Sequence, residues 1–150
     1  MLIKDAASRY QTSNEQSSKT RQVVMLYEGI LRFLNDSKQA IRDNNIQERY
    51  NKIEKAIDII NGLQLSLDLE KGGEVAIQLN KFYNTMITKL NLVNIKNESE
   101  AAVENIIQQF RPLKEAWEEI DRQYNSGKLE AEPNKTPESP APEQGLEISI

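Results

Sequence analysis

Apolar residues recur at three- and four-residue intervals in four long stretches of this chain, the period of helices that each bury one face. The first predicted helix runs from about Lys19 to Asp43, with Val23, Tyr27, Ile30, Leu34 and Ile41 on one side. The second runs from Ile46 to Leu67, and its stripe is Ile46, Tyr50, Ile53, Ile57, Ile60, Leu63 and Leu67. Asn45 and Glu48, three residues apart, have the spacing of a capping box at its start. The third is opened by the Gly72-Gly73 turn and reaches Ile95, with Val75, Leu79, Phe82, Met86, Leu90 and Val93 as its core stripe. The fourth runs from about Ser99 to Tyr124 through Val103, Ile106, Phe110, Leu113, Trp117, Ile120 and Tyr124. Its expected cap is Asn97 with Glu100, or Ser99 itself. No stretch alternates with period two over a useful length, so no strand is predicted.

The links between these segments are short, and short links between long helices force antiparallel neighbours. The predicted fold is therefore all-α: an antiparallel up-down four-helix bundle over residues 19–125, with crossing angles of about 20°. Pro112 lies inside the fourth helix and removes the bond to the Gln108 carbonyl. The apolar register does not slip across it, so a kinked but continuous helix is expected. Residues 1–18 are expected to form a short N-terminal docking segment or helix, on the spacing of Leu2, Ile3, Ala6, Ala7 and Tyr10. Residues 126–150 hold four of the five prolines, two lysines and five glutamates. Such a composition buries too little apolar surface to offset its ordering entropy, so a disordered acidic tail is expected. Near its end Leu146, Ile148 and Ile150 alternate with polar residues, either as a short strand-like docking motif or as an end without a role.

The third helix has apolar residues left over. Ile77 and Ile95 fall outside its core stripe, with Ile87 and Leu92 on the flanks of that second face. Asn80, Asn84, Thr88 and Asn91 lie between them, polar but uncharged, where an ordinary surface helix carries Glu and Lys. Together with Ile59 and Leu65 of the second helix, these side chains make a larger apolar patch than a monomer usually exposes. A second packing partner is implied.

Composition narrows what that partner does. The chain has neither histidine nor cysteine, which rules out Ser-His-Asp triads, thiol nucleophiles, disulfides, and zinc or haem held by histidine. Carboxylates are common, but no pair sits in an apolar setting suited to acid-base work. An enzyme is not expected, and no cofactor is predicted. A net charge of −4 with no basic block argues against nucleic acid. No apolar run is long enough to span a membrane. The N-terminal residues lack the apolar core of a signal peptide, so a cytoplasmic location is expected. What remains is binding, or a homo-oligomer that buries the patch against a copy of itself.

A set of residues in order then carries a resemblance: Tyr10-Gln11, Met25-Leu26-Tyr27-x-Gly29, Ile53-x-x-Ala56 with Ile59-Ile60-x-x-Leu63, Leu67-Asp68, Gly72-Gly73, Ala76, Leu79, Phe82-Tyr83, Leu90, Asn94 and Ala116-Trp117. Over about Ala6 to Ile120 the chain resembles the flagellin-specific export chaperones, the FliS family. It departs from the family pattern at Lys19, where Pro is usual, and at Gln22, where Leu is usual. The resemblance implies a cytoplasmic chaperone, a monomer or weak homodimer when free. Such a protein binds the C-terminal segment of flagellin, prevents premature polymerisation and presents it to the flagellar export gate. It also implies an N-terminal segment that covers part of the groove when flagellin is absent, with Tyr10 as its matching residue. The expected partner-binding residues are Tyr10, Ile59, Leu65, Ile77, Tyr83, Ile87, Leu92 and Ile95.

Overall fold

The computed structural model describes residues 15–127. The expected N-terminal docking segment with Tyr10, and nearly all of the acidic tail, lie outside them. Four helices follow one another: α1 (Glu15–Arg42), α2 (Ile46–Leu65), α3 (Gly73–Lys96) and α4 (Glu100–Asn125). They form the expected antiparallel all-α bundle, α1 beside α2 and α4, and α3 closing the ring between α2 and α4.

The turns follow from a few residues. Asn44 takes a left-handed conformation (φ 54°) that ends α1, and the Asn45 N–H reaches back 2.8 Å to the Ala40 carbonyl. Asn45 then caps α2 by accepting from the Glu48 N–H at 3.1 Å. Between α2 and α3, Asp68 Oδ1 accepts from the Glu70 and Lys71 N–H groups. Gly73 sits at φ 57°, a backbone that side chains disfavour. The α3–α4 turn differs from expectation. Asn97 ends α3 in a left-handed conformation and its side chain is taken by Arg49, so it does not cap α4. Ser99 holds the cap position of α4 but makes no side-chain cap bond. Helix α4 runs unbroken past Pro112, which lies on the exposed face.

The core draws on all four helices, with Tyr27, Ile30 and Leu34 from α1, Ile53 and Ile60 from α2, Met86 and Leu90 from α3, and Ile106, Ile107 and Phe110 from α4 all fully buried. Two parts of the predicted stripes move. Ile46 and Tyr50 are exposed, and Arg49 between them is buried, because its guanidinium crosses to the end of α3. On α3 the inward line is Ala76, Leu79, Tyr83, Met86, Leu90 and Val93, spaced three, four, three, four and three; Phe82 is only partly buried. Tyr83 tolerates the centre because its hydroxyl meets that of Tyr27.

Backbone approach is closest along α1, against both α4 and α2, and sparsest between α3 and α4. Small residues allow the first, including Gly29, where an added Cβ would stand 3.1 Å from Ile59 Cδ1. Large ones enforce the second: the Phe82 and Phe110 rings meet edge-on, 5.2 Å apart. Helix α3 is thus the least closely held of the four.

Candidate partner-binding surface

The seams of the bundle differ in chemistry. Lys38–Glu104 and Arg42–Glu100 pair across α1 and α4, and Lys52–Asp36 pairs across α1 and α2. Among the described residues no ion pair crosses from α3 to either neighbour. Neutral amides join α2 to α3 instead. Gln64 Nε2 donates to Asn80 Oδ1 at 2.9 Å and to Asn84 Oδ1 at 2.7 Å. At the other end Arg49 donates to the Asn94 side chain and carbonyl and to Asn97 Oδ1.

These bonds orient the two helices. Tyr50, Ile57 and Gln64 are seven residues apart, so the contact at Gln64 places all three on the flank of α2 that meets α3. Ile77 and Ile95 are eighteen residues apart, about five full turns, so they share one face about 27 Å apart. Asn84 and Asn91 follow Ile77 in steps of seven, which puts the same line beside Gln64. Ile77 and Ile95 are exposed away from the core stripe, on the side of that outer face nearer α2.

The α2–α3 groove has two apolar ends and a neutral polar middle. At one end are Ile46, Tyr50 and Ile95, beside a cavity of about 210 Å³ lined in part by Ile41, Ile46 and Arg49. At the other are Leu65, Leu69 and Ile77. These account for six of the seven large apolar side chains exposed among the described residues, so the exposure is concentrated here. Leu65 is 86% exposed and Ile95 77%.

Of the residues expected to bind a partner, Leu65, Ile77 and Ile95 are exposed along this groove, and Ile87 is partly buried against the core. Leu92, two residues beyond buried Leu90, is half-buried on the outer side of α3. Ile59 is partly buried on the other seam, against Gly29 of α1, and does not join them. Tyr83 is in the core and cannot touch a partner in this conformation. Tyr10 lies outside the described residues. Sequence reasoning missed Ile46 and Tyr50 because their spacing equals that of the core stripe. The signal against them was Arg49, whose charge needs partners wherever it is buried.

The shifted acidities lie away from the groove. Burial pushes the Tyr83 phenol up to about 12, and burial and the neighbouring Tyr83 raise Tyr27 well above its ordinary value. The hydrogen bond from Lys38 lowers the Glu104 carboxyl on the α1–α4 seam. Among the described residues no cluster of acids could hold a metal ion, and no helix is long and apolar enough to cross a membrane. A neutral polar strip with apolar ends suits the apolar face of an amphipathic helix.

Residues 3–124 match the family described as flagellar protein FliS. The flagellar secretion chaperone FliS of Campylobacter jejuni is 39% identical over 119 residues, 79% of this chain and 91% of that one. Those of Escherichia coli and Salmonella typhimurium are 36% and 33% identical, over 69% and 65% of this chain and 76% and 73% of their own. With a match across most of its length, and with the bundle in place, this chain belongs to the FliS family of flagellar proteins.

Proposed function

We propose that this protein is a flagellar export chaperone whose client is the C-terminal segment of flagellin, and that the α2–α3 groove is a main contact for it. Family membership supports the broad role, a chaperone in flagellar export, and the names of the relatives point the same way. The observation that carries the finer reading is the neutral polar middle of the groove with exposed isoleucines at its ends. A client segment folds as it binds, laying apolar side chains on Ile77, Ile95 and Tyr50 while its amides meet the neutral middle. Each aliphatic side chain so covered contributes roughly 1.5–3 kcal/mol. Held this way in the cytoplasm, the segment cannot polymerise, and the complex is presented to the export gate. No step needs catalysis or a cofactor.

The test uses Ile77→Glu and Ile95→Glu. Both sites are exposed, so folding should change little. In a complex the same charge is desolvated without a partner. Calorimetric titration with a flagellin C-terminal fragment should show binding weakened at least about a hundredfold, or roughly 2.8 kcal/mol. Variants that fold and bind normally would remove the groove from the interface. Sedimentation of the unmodified chain separates this reading from a homo-oligomer: one-to-one complexes support the chaperone, and a stable oligomer that ignores flagellin opposes it.

A further inference from the structure

The outer side of α3 carries one sign of charge. Lys81, Lys89 and Lys96 recur at steps of eight and seven along it, and none takes part in an ion pair among the described residues. The only acid of this helix is Glu74, in its first turn. Half-buried Leu92 lies on the same side, and the Ile77–Ile95 line runs next to it. A ligand for this surface needs apolar side chains with carboxylates among them.

One segment of the chain itself has that chemistry. Residues 128–150 contain Glu130, Glu132, Glu138, Glu143 and Glu147 against Lys128 and Lys135, with Leu129, Leu146, Ile148 and Ile150 as apolar members. Helix α4 ends at Asn125, at the end of the bundle where its neighbour α3 begins at Gly73. Twenty-three residues span at most roughly 80 Å. Even as a statistical coil they average about 27 Å, comparable with the length of the Ile77–Ile95 line. Tethering at that distance raises the local concentration to about the millimolar range, so weak contacts are populated. Surface ion pairs are individually weak and screened by salt, which suits an occupant that must be displaced.

We propose that this acidic segment docks on α3 of its own molecule. Leu146, Ile148 and Ile150 cover the apolar line, and the glutamates lie beside Lys81, Lys89 and Lys96. It then holds the surface until a client replaces it. The docking stands on the residues alone; the competition with a client rests on the function proposed above.

The chain has no cysteine, so Ser149→Cys in the full-length protein accepts a single nitroxide label. The expected result is selective broadening of amide signals from residues 77–96. It should fade in 1 M salt and in a full-length variant with Lys81, Lys89 and Lys96 changed to Gln. Uniform weak broadening, or broadening centred on α1 or α4, overturns the proposal. So does broadening of an unlabelled chain mixed with the labelled one, which would mean a second copy is the occupant. A second measurement tests the competition, with Glu130, Glu132, Glu143 and Glu147 changed to Gln and a flagellin C-terminal fragment titrated in. If the segment covers the surface nine-tenths of the time, affinity should rise about tenfold. Docking without any gain in affinity would leave the docking intact and overturn the groove as the client site. Absence of docking overturns this proposal whatever the fragment does.

Discussion

The hydroxyl oxygens of Tyr27 and Tyr83 lie 2.6 Å apart, joining α1 to α3 across the diagonal of the bundle. Both residues are buried, so the Tyr83 hydroxyl depends on Tyr27 for a partner, while Tyr27 also has the otherwise unpartnered Trp117 indole N–H beside it. Removing one leaves its mate poorly satisfied; removing both leaves an apolar contact. Tyr83→Phe or Tyr27→Phe alone should therefore cost about 1–2 kcal/mol. The double variant should cost clearly less than the two singles added, a favourable coupling of at least about 0.5 kcal/mol. Urea unfolding of the four proteins measures it, and additive losses would show that the bond contributes nothing of its own.

The same pair sets an alkaline limit. Both phenols ionise at higher pH in the fold than in the unfolded chain, Tyr83 at about 12 against an ordinary 10.0. Below pH 10 both states keep their protons and the pair adds no pH dependence. Above it the unfolded chain loses protons that the fold retains, so stability should fall between pH 10 and 12. The slope is at most about 1.4 kcal/mol per pH unit for each tyrosine. The informative comparison is with the Tyr27→Phe/Tyr83→Phe protein, which should lose this part of the slope. Equal slopes would contradict the assignment.

Arg49 makes a third expectation possible. Its guanidinium holds the last turn of α3 through Asn94 and Asn97 and has no carboxylate partner among the described residues. Arg49→Met keeps most of the buried stem but abandons three acceptors, and should cost about 2–3 kcal/mol. Arg49→Lys should recover little, because an ammonium cannot match the fork of three directed bonds. Hydrogen exchange should quicken first around residues 93–98. A variant as stable as the parent would mean that water replaces Arg49 without loss.

Pro112 stands inside α4 on its exposed face and offers the helix no N–H. Pro112→Ala should raise stability, by about 1–3 kcal/mol, as the bond to the Gln108 carbonyl forms. A rise in the thermal midpoint with unchanged client binding is the expected outcome. A loss of binding without a loss of stability would make the proline part of the interface.

Periodicity by itself determined that four helices form, where most of each begins and ends, and which face of α1 and α4 is buried. It could do so because burying an amphipathic stripe dominates the energetics of a bundle. It also showed that α3 has more apolar surface than one core can use. The tertiary structure decided how α3 is rotated, and therefore that Tyr83 goes inward, that Phe82 lies at the edge, and that Ile77 and Ile95 border α2. A shift of one residue turns a helix by about 100°, so two adjacent aromatics fit the same three-four pattern almost equally well. The choice fell to a hydroxyl on a different helix, Tyr27, which no local pattern contains. The exposure of Ile46 and Tyr50 was decided in the same way, by Asn94 and Asn97 of α3 accepting from the buried Arg49.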